Sequence, residues 1–469
     1  MNLILIYVFN IFLNESCKSY TSLNKYFSLK TSVITRFIFL LVFIFCILKP
    51  GDAICQPGGS KDEENSALKS FDDTEYRKLS TDLLIDDNIA FAARTYKMLW
   101  NLPGIKQGGF PKTADRNGNL ITCDPSWWTS GFLPGSLCLL YGVTHDDSLK
   151  IHAERYLSEL AKFQFALDNH DIGWIINSSF VNWYRITVSE QYRIVIEQTA
   201  KSLITRYNPK VGCIKSWDES PRSLKNGWNF PVNIDNMMNL ELLMEAFKIT
   251  KDSTFQKIAI RHADTTLKNH FRSDYSSYHV VDYNSLTGEA RRKQTVQGYS
   301  DQSSWARGQA WGLYGFTMMY RETGIKRYLI HAGNIADFIV NHPRLPVDKI
   351  PYWDFDSPDI PSTYKDASAG AIICSALIEL SQYVGKEKSL KYISIAKQQL
   401  ESLSTSYYHT EPGENSCFLL KHCVGSLPEH SEVDVPLIYG DYYYLEAMSR
   451  YKKRIIAANE EFRNNALRH

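Results

Sequence analysis

The sequence predicts an all-α protein built as an (α/α)6 toroid, in which an outer ring of six helices surrounds an inner ring of six. Two observations predict this fold. Six strongly apolar segments carry Gly and Ala on one side, and most of them are followed by a more polar, amphipathic segment. A helix that is apolar all round must be buried on all sides, and small residues let such helices approach closely. The apolar helices therefore form the inner ring.

The six apolar helices are predicted to begin near Gly131, Gly173, Asp235, Trp305, Ala367 and Leu437. Amphipathic partners are predicted over residues 146–163, 253–269 and 390–403. The spacing between apolar helices is irregular, so an open α-solenoid of helical hairpins is the alternative. Large and unequal loops, such as residues 271–304, favour the closed toroid.

Few stretches alternate as β-strands do. The best strand candidate is residues 277–283 (SYHVVDY), followed by a turn around Asn284. We predict a single helix over residues 229–246 (NFPVNIDNMMNLELLMEA), because its apolar residues recur at steps of three and four. Asp235 lies in the first turn of that helix, with Asn239 one turn later on the same face.

Composition limits the classes of function. The chain has 469 residues, enough for one large domain or two ordinary ones, and a net charge of +1 from 52 basic and 51 acidic residues. That balance argues against a nucleic-acid partner, which normally leaves a basic excess. The 28 Tyr and 10 Trp suit either a Tyr-rich helical core or a cleft lined with flat rings.

The N-terminus has the pattern of a targeting segment. Lys30 and Arg36 precede an apolar run over residues 37–48, and small residues precede a plausible cleavage site after Ala53. We expect a secreted or periplasmic protein, with a membrane-tethered form as the alternative. The predicted organisation is a targeting segment (1–53), a polar linker (54–75), a catalytic toroid (76–455) and a C-terminal tail (456–469).

Cysteine usage shows no disulfide framework. None of the nine cysteines forms a CxxC pair, so a structural zinc site is not expected. Cys417 and Cys423 could bridge in an oxidising compartment, and free thiols are equally consistent.

Polar and aromatic side chains cluster at the loop-to-helix junctions of five inner helices. The most informative are Trp127, Trp128, His170, Asp171, Trp217, Asp218, Asn233, Asp235, His279, Gln297, Trp305, Arg307, Trp311 and Asp366. Taken singly, an Asp before a helix is often only an N-cap, and a Trp is often core. Their joint placement at one end of a ring indicates a binding site. Aromatic rings can stack on a sugar, and Arg, His and Gln donors can bind its carboxylate.

Six blocks, spread in order from Leu79 to Tyr451, resemble glycoside hydrolase family 88, the unsaturated glucuronyl hydrolases. They are WWTSGFLPGSL, HDIGW, IDNMMNLELL, QGYSDQSSWARGQAWGLYGF, DASAGAIICSAL and EVDVPLIYGDYYYLEA. The block from Gln297 to Phe316 is the most specific. The related unsaturated rhamnogalacturonyl hydrolases of family 105 fit less well, particularly over residues 236–243.

The resemblance implies an (α/α)6 toroid acting on oligosaccharides with a Δ4,5-unsaturated uronic acid at the non-reducing end, the fragments that polysaccharide lyases leave. In such enzymes an Asp protonates C4 of the vinyl ether and helps water add at C5. The hemiketal then rearranges and expels the remaining sugar. The resemblance implies no metal and no organic cofactor.

The resemblance also assigns residues. Asp235 matches the general acid/base and Asp171 the second essential Asp, while Trp128 and Trp217 match aromatic platforms. The matched substrate-binding positions are His279, Gln297, Arg307 and Trp311. We expect burial and the neighbouring carboxylate to raise the pKa of Asp235 against the opposing helix dipole.

Two other classes of function stay open at this point. A non-catalytic sugar-binding protein would keep the Trp platforms without needing both Asp235 and Asp171. A polysaccharide lyase or an inverting glycosidase could use the same toroid. A lyase creates the ultraviolet-absorbing double bond, whereas a hydrolase of family 88 removes it. The parent polymer could be a glycosaminoglycan, an algal ulvan, or a gellan- or xanthan-like polysaccharide.

Overall fold

The long helices alternate between two layers in the computed structural model, which describes residues 73–466 and the side chains of residues 81–455. The predicted targeting segment lies outside the described residues. Inner helices 1–6 are, in chain order, Phe132–Thr144, Ile172–Ile176 continued through a π-helical turn (Asn177–Val181) into Asn182–Thr187, Leu240–Thr250, Ala306–Thr323, Ala367–Leu380 and Ile438–Ala466. Each begins within one residue of its predicted start, counting for inner helix 3 the 3₁₀ turn before it.

The outer helices are Asp73–Leu99, Asp147–Leu160, Glu190–Ile204, Ser253–Asn269, Lys326–Asn341 and Lys386–Leu403. Shorter helical segments are Pro103–Lys106, Ala161–Phe165, Pro221–Asn226, Ile234–Asn239 and Glu414–Cys417. The strands are β1 (Phe110–Ala114), β2 (Leu120–Cys123), β3 (Tyr207–Asn208), β4 (Cys213–Ile214), β5 (Phe230–Asn233), β6 (Val280–Tyr283), β7 (Ala290–Gln294), β8 (Cys423–Ser426) and β9 (Ser431–Val435). Inner helix 6 continues to Ala466, so most of the segment predicted as a C-terminal tail is helical.

The inner ring closes on itself. Inner helix 6 packs against both inner helix 5 and inner helix 1. All 14 residues of inner helix 5 are buried, as a helix enclosed on both sides requires. Asn182 donates to the hydroxyl of Tyr442 at 2.8 Å, which joins inner helices 2 and 6. This closure confirms the toroid and excludes the open solenoid.

Residues 229–246 do not form the single helix that their periodicity predicts. Phe230–Asn233 is a strand, β5, which pairs antiparallel with β6. A 3₁₀ turn, Ile234–Asn239, follows it, and the α-helix begins only at Leu240. The backbone of β5 hydrogen-bonds to β6, which lies about 50 residues later in the chain. This long-range pairing overrides the helical preference of the local apolar spacing. The strand predicted at 277–283 is confirmed in part, as β6.

A network of ion pairs joins five of the inner helices to one another. Arg321 bonds to Glu241 at 2.6 Å and to Glu379 at 2.8 Å. Arg450 bonds to Glu379 at 2.8 Å, and Arg185 bonds to Glu241 at 3.1 Å. Burial would raise the pKa of Glu241, but Arg321 and Arg185 hold it at about 2. These charges are fully paired, as burial demands.

The six cysteines among the described side chains are all free thiols, Cys417 and Cys423 included. No helix within residues 73–466 is long and apolar enough to cross a membrane.

Glycines set how closely inner helices 1 and 2 approach. A Cβ at Gly135 would lie 2.2 Å from the carbonyl oxygen of Ser178 and 2.8 Å from Cε2 of Tyr442. We expect Gly135→Ala to lower the free energy of unfolding by about 1–3 kcal/mol, because the ring cannot open to admit a methyl group. Urea denaturation followed by circular dichroism measures the change.

Gly142→Ala is the matched control, since it lies in the same helix with its nearest contact, Cδ1 of Ile186, at 3.9 Å. We expect it to be neutral or to stabilise by up to about 1 kcal/mol through helix propensity. Equal effects of the two substitutions would contradict the packing account.

Candidate active site

Residues at the N-terminal ends of inner helices 1–4, together with loop residues, surround a cleft of about 110 Å³. It is lined by Trp128, Asp171, Trp174, Trp217, Asn233, Asp235, Gln297, Trp305, Arg307 and Trp311. Seven of the eight site residues predicted from the sequence are in this lining. The eighth, His279, is buried beside it with Nε2 3.7 Å from Oδ2 of Asp235. The structure thus brings all eight together.

Asp235 reaches the cleft because β5 ends at Asn233 and the chain turns at once into the 3₁₀ segment. Its side chain is 13% exposed. Oδ2 accepts a hydrogen bond of 2.9 Å from Nδ2 of Asn233. Oδ1 is buried and accepts none among the described residues. Asp235 is therefore not a helix cap, and its partly exposed carboxyl group lines the cleft.

His279 is held in one tautomer. The backbone N–H groups of Val296 and Gln297 donate to its Nδ1 at 3.1 and 3.3 Å. A ring nitrogen that accepts carries no proton, so the neutral imidazole has its proton on Nε2, the nitrogen nearer Asp235. The ring also packs on Trp305, with centroids 4.5 Å apart. These contacts orient the Nε2–H group of His279 toward Asp235.

Asp171 precedes inner helix 2 but makes no capping hydrogen bond. Burial raises its pKa to about 7, and the charge of nearby Asp235 adds to the shift, while a hydrogen bond from Asn239 opposes it. The Asp171 carboxyl group lies 3.2 Å from Nε2 of His170. Burial lowers the pKa of His170 to about 3, so that ring is neutral.

The structure shows a raised pKa at Asp171, and the raised pKa expected at Asp235 stays a prediction. The cause is the predicted one, burial together with a second carboxylate. At neutral pH a large fraction of Asp171 therefore keeps its proton inside the cleft.

Arg307 places a buried cation in the wall of the cleft. Its guanidinium donates to the carbonyl oxygens of Val424 and of Gly425, the latter at 2.6 Å, and lies 4.6 Å from the Trp305 ring. Gln297 donates to the same Gly425 oxygen at 3.1 Å. Nε of Arg307 has no partner among the described residues. Strand β8 thus fixes the cation and leaves one donor unused.

Asp366 has the plain structural role. Its Oδ1 accepts from the backbone N–H of Ser368 at 3.0 Å, which caps inner helix 5. Arg307 lies 3.7 Å from its Oδ2. Burial raises the pKa of Asp366, and Arg307 opposes that rise.

Aromatic rings form the rest of the cleft. Trp174 packs edge-on against Trp311 with centroids 4.6 Å apart, and Trp128 lies 4.9 Å from Tyr439. Trp174 and Tyr439 are not among the site residues predicted from the sequence. Trp174 follows Asp171 by three residues, so it shares that face of the helix, and this spacing could have identified it.

A second pocket of about 340 Å³ adjoins the cleft and shares Asp171 and Trp217 with it. Trp217 stacks on Trp228 with centroids 5.5 Å apart, so the platform is two rings deep. Arg206 clamps Asp218 with bonds of 2.9 and 3.1 Å, which fixes the loop that carries Trp217. The predicted platform is therefore rigid and borders both cavities.

Comparison with known proteins decides the family. Residues 111–457 match the family model of Glycosyl Hydrolase Family 88. The chain belongs to glycoside hydrolase family 88. An unsaturated glucuronyl hydrolase of Formosa agariphila is 41% identical over 363 residues, which cover 77% of this chain and 89% of that protein. An unsaturated chondroitin disaccharide hydrolase of Streptococcus agalactiae is 34% identical, over 73% of this chain and 86% of that protein.

Solved structures agree with the fold of this family 88 enzyme. An unsaturated glucuronyl hydrolase specific for heparin matches with a TM-score of 0.74 at 43% identity, over 80% of this chain and 97% of that one. The unsaturated glucuronyl hydrolase of Bacillus sp. GL1 matches with a TM-score of 0.71 at 31% identity, over 78% and 95%. The predicted (α/α)6 toroid is confirmed.

Asp171 makes stability depend on pH. Its pKa is about 7 in the folded enzyme against 3.8 ordinarily, so the folded state keeps a proton that the unfolded chain releases between those values. The free energy of unfolding therefore falls as pH rises from about 4 to about 7, by up to about 1.4 kcal/mol per unit of pKa difference. We expect Asp171→Asn to remove this fall. The free energy of unfolding of the variant should therefore rise relative to that of wild type between pH 5 and pH 8.

Urea denaturation at the two pH values measures the gain. Asp168→Asn, an exposed carboxylate three residues away, is the matched control and should leave the pH dependence unchanged. A slope in Asp171→Asn as steep as that of wild type would contradict the assignment.

Proposed function

We propose that this enzyme removes a Δ4,5-unsaturated uronic acid from the non-reducing end of lyase-generated oligosaccharides by hydrating the vinyl ether, with Asp235 as general acid and base. One observation carries the proposal: two carboxyl groups, Asp171 and Asp235, line one aromatic-walled cleft, close enough for the charge of Asp235 to help raise the pKa of Asp171. The relatives support the substrate class, since they include unsaturated glucuronyl hydrolases and an unsaturated chondroitin disaccharide hydrolase.

The reaction needs one acid that is protonated when substrate arrives. Asp235 gives its proton to C4, and the C4=C5 electron pair forms the new C–H bond. The positive charge left at C5 is shared with the ring oxygen. A water oxygen then bonds to C5 while the Asp235 carboxylate takes the water's proton, which restores the acid. The C5 hemiketal opens to a ketone, and the hemiacetal at C1 expels the remaining sugar.

The rest of the cleft suits this sequence. The ionised form of Asp171 would stabilise the charge that develops at C5, in a site where few waters screen it. The cation of Arg307 suits the carboxylate of the uronic acid. Trp128 and Trp311 offer flat surfaces for the sugar ring.

Loss of the acid should abolish turnover. With lyase-generated disaccharides, including heparin- and chondroitin-derived ones, we expect wild type to lower the ultraviolet absorbance of the double bond. We expect Asp235→Asn to slow that loss by at least about 10³-fold, because an amide cannot protonate C4. The variant should still bind, so substrate should still raise its melting temperature.

Asp337→Asn is the control, because Asp337 lies on an outer helix and pairs with Lys388 far from the cleft. It should leave the rate unchanged. Turnover by Asp235→Asn at the wild-type rate would refute the role of Asp235. A rise of absorbance on intact polymer would make the enzyme a lyase.

A further inference from the structure

A chain of buried side chains leads to Asp235 from behind the cleft. Nδ2 of Asn239 donates to Oδ1 of Asn236 at 3.1 Å, and Nδ2 of Asn236 donates to the hydroxyl of Ser216 at 3.3 Å. That hydroxyl donates to Oδ1 of Asn233 at 2.8 Å. Nδ2 of Asn233 completes the chain at Oδ2 of Asp235. We call these four residues the amide relay; each is at most 4% exposed.

Backbone groups fix the direction of the relay. The N–H of Trp174, which can only donate, bonds to Oδ1 of Asn239 at 2.7 Å. The carbonyl of Ile214, which can only accept, takes Nδ2 of Asn236 at 2.8 Å. Neither amide can be reversed without breaking one of these bonds.

Ser216 transmits that direction to the last amide. Its oxygen accepts from the backbone N–H of Asn233 at 3.0 Å and from Asn236, so its single proton is left for Oδ1 of Asn233. With that oxygen occupied, the amide of Asn233 must present its N–H to Asp235. The orientation of one donor in the cleft is therefore set by groups outside it.

The relay also connects the two carboxyl groups. Asn239 hydrogen-bonds to Asp171, and its Oδ1 holds the first turn of the helix that Asp171 begins. Asn239 thus lies at one end of the relay, beside Asp171, and Asn233 lies at the other end, bonded to Asp235. The relay therefore links the surroundings of both groups through protein side chains.

We propose that Ser216, Asn236 and Asn239 are positioning residues that hold the Asn233 N–H against Oδ2 of Asp235 and so fix the orientation of the catalytic carboxyl group. The inference rests on the proposed function. In it Asp235 gives its proton to C4, and the relay donates to the carboxylate that remains without giving up a proton.

Other charged or titratable groups also face Asp235. Asp171 faces it from inner helix 2, His279 from the segment before β6, and Arg307 from inner helix 4. None of these contacts Ser216 through a described hydrogen bond. A change at Ser216 therefore acts on Asp235 through Asn233, and the other three groups stay in place.

Ser216→Ala tests the proposal. Without the hydroxyl, Oδ1 of Asn233 loses its donor, so the amide is no longer held with its N–H on Oδ2 of Asp235. We expect kcat to fall by up to about 100-fold with KM changed less than about threefold, because the acid is misdirected while sugar contacts remain. We expect the apparent pKa of the basic limb of the kcat–pH profile to rise by roughly 0.5–1 unit, because losing a donor favours the protonated acid.

The controls separate positioning from general damage. Ser216→Thr keeps a hydroxyl and should restore the wild-type limb. Ser179→Ala removes another buried serine hydroxyl, one bonded only to its own helix at the carbonyl of Ile175, and should leave the limb unmoved. If Ser216→Ala does not fold, Ser216→Cys carries the test, since it keeps the volume with a weaker donor and should give an intermediate shift.

A lowered kcat with an unmoved limb in Ser216→Ala, or in Ser216→Cys, would overturn the proposal. So would a limb that moves equally in Ser179→Ala. These outcomes are distinct from failure of the proposed function, which would appear as turnover by Asp235→Asn whatever Ser216 does.

Discussion

Closure of the inner ring is the constraint on which the active site depends. Inner helix 6 packs against inner helix 1 at Gly135, where the ring of Tyr442 leaves no room for a side chain. Only a closed ring brings the N-terminal ends of all its helices to one place. The ion pairs of Arg321 and Arg450 also tie four inner helices together. The cleft therefore lies in a ring whose helices are joined both by close packing and by ion pairs.

Two opposing electrostatic effects act on a negative charge in the cleft. Helix N-termini favour negative charge, which suits an anionic sugar. Burial disfavours it, and the neighbouring carboxylate does so again, which is why the pKa of Asp171 lies near 7. A site with only the first effect would bind an anion and lack an acid. The balance lets one enclosed cleft hold a cation, Arg307, and a protonated carboxyl group at the same pH.

Much of this could be read from the sequence, for a physical reason. The inner helices are apolar all round, so each start was located to within a residue, and site residues at those starts were bound to converge. Residues 229–246 were misread because β5 is held by hydrogen bonds to β6, which local periodicity does not contain. The amide relay was invisible for the same reason. Asn236 and Ser216 are 20 residues apart, and only the folded chain joins them.

Hydration of a double bond, rather than attack at the anomeric carbon, is the central claim. Turnover of an unsaturated disaccharide in D2O, stopped after the first few turnovers and examined by mass spectrometry and NMR, tests it most directly. Protonation by Asp235 predicts one deuterium at C4 of the released uronic acid, delivered to one face. A product released with the C4=C5 double bond intact and no deuterium at C4 would mean conventional glycoside hydrolysis, and would contradict the account.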